Sequence, residues 1–328
     1  MCLDKSGNFE TVFLGPAGKN PILQNAVEAT VRCSHNRQVD ASVDSNAIEA
    51  TWEALTHKNR SCGRGEPQNG GVYNGLKFRL HGVAWDGKKC HLELGMTDYK
   101  TSIGTTRNIG TYVELAKAKG TTVDNYLSNA LGVECFTVTS DGKGVLFRRS
   151  EAVSEYAGFL CFPGGHPEPT EILNVQILEA TRSGGPTSES LVEQATAWFE
   201  CVNSSALVRL FFDSAAMEVA DELGVERSSC RNRGLISVVK NAHTRKPDIC
   251  FWIELSQTAS EVEACFNRRN GADAFESVPN SLMFIELNAI GTDEESVRHF
   301  VAENLQGNIT PGSLACLVQG INFLRVHQ

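Results

Sequence analysis

The chain has 328 residues, 41% of them apolar and 21% charged, with a formal net charge of −9. That balance suits one large or two ordinary globular domains and excludes a disordered chain. The acidic charge excludes a general nucleic-acid binder, which needs a positive stripe for phosphates, but not one small anionic ligand in a locally basic cleft.

The 11 cysteines are scattered singly, with no C-x-x-C pair, so a zinc or thioredoxin-like site is not expected. No apolar segment stands near Met1, and no apolar run approaches the ~20 residues that span a bilayer. The expectation is a cytoplasmic or nuclear protein with reduced thiols buried as small hydrophobes, neither secreted nor membrane-bound.

In chain order, "DSNAIEATWEALTHKN" repeats Ile48, Trp52 and Leu55 at helical spacing, with Asp44 or Ser45 as cap. "RSCGRGEPQNGGVYNG" is rich in Gly, Asn and Pro and predicts a loop. The period then becomes two. In "LKFRLHGVAW", Leu76, Phe78 and Leu80 alternate with Lys77, Arg79 and His81, predicting a half-buried strand with a basic outer face. "CHLELGMTDY" and the residues after it predict a second strand and a turn. "VECFTVTSDGKGVLFRRS" predicts a hairpin turning at Asp141-Gly142.

After "GFLCFPGGHPEP", the segment "TSESLVEQATAWFECV" has helical spacing, and "SSALVRLFFDSAAMEVADEL" predicts a long helix ended by Gly224. "GLISVVKNA", "ICFWIELS" and "SLMFIELNAI" predict strands; "SEVEACFNRR" and "EESVRHFVAENL" predict helices. Strands and helices mix without strict alternation, so the fold class is α+β or a layered α/β/α sandwich. A domain boundary is expected near residues 126 to 132.

Two segments carry chemistry. Glu218, Asp221 and Glu222 fall at i, i+3 and i+4 and share one helical face. Three carboxylates there repel one another near a helix C-terminus, which calls either for full solvation or for a cation among them. In "FPGGHPEP", the Gly164-Gly165 pair makes either a plain turn or a close backbone approach. Backbone carbonyls beside carboxylates would form an oxygen-rich pocket suited to Mg²⁺ or Mn²⁺.

Together these segments resemble the Nudix hydrolase signature G-x5-E-x7-R-E-U-x-E-E-x-G-U. "MEVADELGV" matches its second half, with Met217 at the Arg position and Asp221 in place of the first paired Glu. Gly165 stands as the leading glycine. It lies 53 positions before Glu218, against about 15 in the pattern, so about 38 residues are inserted. Arg209 occupies the place of the Glu that usually pairs with the missing Arg. These departures, with "KFRLH", "LGMTDYKTSIGT", "LGV", "FRRS" and "FIE", resemble the UDP-glucose/UDP-galactose pyrophosphatase branch over most of residues 48 to 290.

The resemblance implies a C-terminal Nudix α/β/α sandwich over 129–328, with segment 170–204 inserted, and a smaller β-rich N-terminal domain over 1–128 that contributes to nucleotide binding. It implies Mg²⁺-dependent hydrolysis of a nucleotide sugar to UMP and sugar 1-phosphate. Other nucleotides such as ADP-ribose, or a silent nucleotide-binding protein, are the alternatives. Glu218 and Glu222 are the expected metal ligands, Asp221 a ligand or near neighbour, and the Gly165 carbonyl a fourth oxygen. The general base is left between Glu222 and a loop carboxylate further on, for which Glu286 is a candidate although an ordinary strand residue is the favoured reading there. Arg148 or Arg149 is expected to reach phosphate, since strand neighbours face opposite sides. Lys77 and Arg79 are candidates for the diphosphate or ribose, Tyr99 for stacking on uracil, His166 for sugar or phosphate, and Glu168 for the outer metal shell. The inserted segment is either a lid or inert.

Overall fold

The computed structural model describes residues 8–15, 20–61, 73–151, 153, 155–173, 188–268, 278 and 281–326. The first part of the chain carries β1 (Phe9–Leu14) and β2 (Val27–Val31), then a helical stretch. That stretch runs through α1 (Ala41–Asp44), a π turn at Ser45–Glu49 and α2 (Ala50–Ser61). The helix starts earlier than its apolar periodicity suggested. Asp40 is the cap, accepting from the Val43 N–H, while Asp44 pairs with Arg37 and accepts from the Tyr112 hydroxyl at 2.7 Å. The predicted loop after it lies mostly outside the described residues.

Strand β3 (Leu76–Trp85) pairs antiparallel with β4 (Cys90–Asp98), and β2 adds parallel to β4, making a three-stranded sheet. The segment after β4 is helical rather than a turn: Asp98 caps α3 (Tyr99–Arg107), and α4 (Ile109–Lys119) comes next. The expectation of a basic outer face on β3 fails at Arg79, which is 2% exposed. Its guanidinium donates to the carbonyls of His35 and Asp124, each at 2.6 Å, and of Leu127 at 3.3 Å. A register shift between Leu80 and Gly82 also interrupts the alternation there.

The second sheet is built on β5 (Gly132–Val138) and β6 (Lys143–Arg148), joined at Asp141-Gly142 with Gly142 at φ +81°. Short strands β7 (Leu160–Cys161) and β8 (Gly164–Gly165) attach to β6 and β5. Helices α5 (Ser188–Phe199) and α6 (Ser204–Leu223) come next, then β9 (Cys230–Asn241), β10 (Pro247–Leu255) and α7 (Ala259–Arg268). Strand β11 (Met283–Glu286), α8 (Glu294–Asn304) and α9 (Pro311–Val326) complete the described chain. The sheet order is β1-β9-β10-β5-β6-β11, and β10 runs parallel to β5. Strand β1, from the first part of the chain, thus joins the second sheet.

Within β10, Ile249 to Ile253 is an unbroken apolar run because both faces of the strand are covered. Ile249, Phe251 and Ile253 pack in the cluster that holds Leu207, Phe211, Ala215 and Val219 of α6. Cys250 and Trp252 face Leu314, Leu317 and Ile321 of α9. The first cluster also takes in Ala29, Val31, Phe78 and Leu80, so α6 lies between the two sheets. Of the inserted segment, α5 is an internal support: Phe199 is 1% exposed and meets Phe78 edge-on at 5.0 Å. Asn36 donates to Thr196 at 3.0 Å and Ser204 accepts from the Ala29 N–H at 2.9 Å.

Asp124 ties the segment before β5 to the β9–β10 hairpin. It accepts from Lys240 and from two nitrogens of Arg245, at 2.9, 2.9 and 3.2 Å. Burial raises its carboxyl, but the hydrogen bonds and charges of Arg245 and Lys240 outweigh that and hold it below the ordinary value. The unfolded chain therefore binds the proton more readily, and the stabilisation is present above about pH 4 and lost below it. Asp124→Asn should lower the unfolding free energy by about 2 kcal/mol at neutral pH, because it leaves the buried Lys240 without its carboxylate and the half-buried Arg245 with Glu10 alone. Urea titrations of wild type and variant should converge as the pH is lowered towards about 3; a constant gap would refute the assignment.

Candidate active site

The 20-residue helix α6 ends where Gly224 takes a left-handed conformation, φ +68°, with its N–H on the Ala220 carbonyl. Glu218 and Glu222, one turn apart, meet β8 there. Glu222 is 5% exposed, and its Oε2 accepts from the Gly164 N–H at 2.8 Å. Glu218 stands directly over Gly165: a β-carbon built on that glycine would lie 2.3 Å from its Oε1. One built on Gly164 would lie 2.3 Å from the Val133 carbonyl oxygen. The glycine pair is therefore not a plain turn. It is a strand of the sheet, in register with Val133 and Glu134, that runs against the helix.

Asp221 parts from its neighbours. It is exposed on the outer side of α6, so the carboxylates brought to the glycine strand are Glu218 and Glu222. Glu218 and Glu222 thus present carboxylate oxygens beside the glycine strand, the donor type that a hard divalent cation such as Mg²⁺ takes.

A cationic half faces this acidic one. His166 comes directly after the glycines; burial, and then the charges of Lys246, Lys77 and Arg149, hold its imidazole well below the ordinary value, so it is neutral. Lys77 forms an ion pair with Glu168 beside it. The paired arginines diverge as expected from a strand. Arg148 donates to the Gly158 carbonyl at 2.7 Å, and Arg149 donates through Nε to the Glu155 carbonyl at 3.2 Å while its charge reaches Glu134 and Asp248.

Other candidates do not join. Arg79 is consumed by backbone carbonyls. Tyr99 packs edge-on to Trp52, ring centroids 6.3 Å apart. Glu286 pairs with Lys143 at 3.0 Å, at the end of β6 opposite Arg148, so it is not placed to act as a base. A separate set of possible ligands, His35, His81 and Glu93, lies on the three-stranded sheet. The two imidazoles are stacked with planes 5° apart, so their in-plane lone pairs run parallel and do not converge on one ion.

Three residues at this end of the sheet were passed over in the sequence: Glu134, Asp248 and Lys246. Burial, with the Asp248 charge beside it, pushes the Glu134 carboxyl up to about 8, and burial raises Asp248 too. The available signal was a carboxylate inside an apolar run, in "VECFTV" and in "PDICFWI".

Gly165→Ala tests the geometry without dismantling the fold. The obstructing atoms are the far end of a flexible side chain, so the unfolding free energy should change by no more than about 2 kcal/mol. Glu218 must swing away, and the affinity for Mg²⁺ or Mn²⁺, followed by thermal shift, should fall by about tenfold or more. Unchanged cation affinity would separate Glu218 and Gly165 from any metal site.

No family model matches the chain. It is 27% identical to Nudix hydrolase 9 of Arabidopsis thaliana over 305 residues, covering 88% of this chain and 85% of that protein. It is 26% identical to the uridine diphosphate glucose pyrophosphatase NUDT22 of Homo sapiens over 281 residues, covering 83% and 80%. The Mus musculus protein of that name gives 26% over 283 residues, with the same coverage. Among described residues no helix is long and apolar enough to cross a membrane. With its glycine strand set against the α6 carboxylates, the chain is a homologue of the Nudix hydrolases along most of its length.

Proposed function

We propose that the protein hydrolyses the pyrophosphate bond of UDP-sugars, UDP-glucose and UDP-galactose, to UMP and sugar 1-phosphate. The observation that carries this reading is the junction of Glu218, Glu222 and the Gly165 backbone, with Lys77, Arg149 and Lys246 charged around His166 beside it. The similarity to proteins named uridine diphosphate glucose pyrophosphatase supports the substrate class.

Glu218, Glu222 and the Gly165 carbonyl would hold Mg²⁺, which when bound supplies charge neutralisation and Lewis-acid polarisation of a phosphoryl oxygen. The chain's own groups do the rest. The Gly164 N–H fixes the Glu222 carboxylate against β8, so its orientation is set before substrate arrives. Lys77, Arg149 and Lys246 offset the diphosphate charge as water is excluded. His166, kept neutral, adds a ring nitrogen that hydrogen-bonds without adding further charge. Water adds to one phosphorus and the bridging P–O bond breaks, leaving one phosphate on uridine and the other on the sugar.

Purified protein with Mg²⁺ should release UMP and glucose 1-phosphate from UDP-glucose, followed by ³¹P NMR. Glu222→Gln can still accept from the Gly164 N–H through its amide oxygen, so it should fold, yet kcat should fall by about 10²–10³-fold for loss of the charge. Absence of turnover sinks the reading. Rapid hydrolysis of ADP-ribose with UDP-glucose untouched would move the activity to another nucleotide.

A further inference from the structure

Strand β2 is an outer strand of the three-stranded sheet, with β4 on one side of it. In a parallel pair, successive residues turn their amides alternately towards the partner strand and away from it. The Arg32 N–H donates to the Leu94 carbonyl of β4, so Ala29, Val31 and Cys33 present their amides at the free edge. Side chains from the end of α5 and the start of α6 meet two of the three. The Ala29 N–H donates to Ser204 Oγ at 2.9 Å, and the Cys33 N–H donates to Glu200 Oε1 at 2.6 Å. Val31 lies between them and is 3% exposed, yet among the described residues no group bonds to its outward N–H or C=O. A cavity of about 310 Å³ opens at that point. Phe199 and Val202 give it apolar walls, and Arg32, Glu200 and Ser204 its polar ones.

A buried amide without a partner forfeits about as much as a lost hydrogen bond, so the position favours an occupant that both donates and accepts. A further β-strand does not fit, because Ser204 and Glu200 already hold the rungs on either side. An anion would be repelled by Glu200 and would leave the Val31 C=O without a donor. An uncharged ring with an N–H next to a C=O satisfies both halves of one residue at once and lies against Phe199 and Val202. The imide edge of a pyrimidine base is such a group. The volume stands at the lower end of the ~300–1,000 Å³ that ligand pockets occupy, room for a nucleoside and little more. Glu218 follows Ser204 by 14 positions. That separation is about 20 Å along α6, so the cavity is distinct from the carboxylate site.

We infer that the cavity at the β2 edge binds a pyrimidine base by its imide edge. The ring N–H donates to the Val31 carbonyl, and a ring carbonyl accepts from the Val31 N–H. The inference does not depend on the hydrolysis proposed above.

The probe is uridine, titrated into the full chain labelled with ¹⁵N-valine and followed by NMR. The Val31 signal is identified as the one missing from Val31→Ile. Uridine should move that signal downfield in a saturable manner. 3-Methyluridine carries a methyl group in place of the imide hydrogen and should bind about tenfold or more weakly. Val202→Trp, which fills the cavity from the segment between the two helices, should abolish the shift. A Val31 signal unmoved by millimolar uridine overturns the inference. So does 3-methyluridine binding as tightly as uridine, a comparison that needs no variant to fold. The readout is local to β2, so uridine held at the carboxylate site leaves it in place, and its outcome is separate from whether UDP-glucose is turned over.

Discussion

The packing of α6 between the two sheets is the constraint on which the site depends. Phe211 meets Phe78 of the small sheet edge-on at 5.2 Å, while Phe212 meets Phe251 of the large one at 5.0 Å. A helix held on both sides has little freedom to slide or roll, so its last turn is delivered to a fixed place. That turn meets a strand with no side chains. Glycine at 164 leaves room for the Val133 carbonyl of β5 and glycine at 165 for the Glu218 carboxylate of the helix, and the close approach puts Glu218 and Glu222 against backbone. Rigidity in the core thus becomes geometry at the carboxylates.

The charges divide along the glycine strand. Carboxylates of α6 lie on one side, and lysine and arginine gather around His166 on the other. On the activity proposed above, a pyrophosphate with a cation beside it would match that division, the anion facing the basic residues and the metal the acidic ones. Neutral His166 is a consequence of the same arrangement, because three nearby cations and burial all disfavour a fourth charge.

Much of this was legible in the sequence where a local pattern sufficed. The period-two run from Leu76, the turn at Asp141-Gly142 and the long helix ending at Gly224 all rest on short-range rules. Glu218 and Glu222 were legible because helical spacing fixes them together. Asp221 was grouped with them by the same spacing, but which side of a helix faces the site is decided by packing, and packing turned it outward. Arg79 was misread for the converse reason: alternation predicts exposure only on a regular strand, and here loop carbonyls from residues 35, 124 and 127 close over it. Glu134 and Asp248 meet only because β5 and β10 pair in parallel across more than a hundred residues, a contact that no local pattern carries.

The missing arginine of the family pattern has a physical reading in the same packing. Met217 stands at its position and is 44% exposed, and Arg209, at the position of its usual partner, is also exposed. Neither faces the interior, so no buried ion pair is required to hold this helix and none leaves a charge stranded. The inserted helix α5 offers a reason. With Phe199 against Phe78 and Asn36 bonded to Thr196, it packs on the small sheet, whose Phe78 in turn meets Phe211 of α6. Apolar contact with both sheets anchors α6, and apolar contact involves no desolvation of charge. The insertion that separates the two halves of the motif in sequence is part of what holds them together in space.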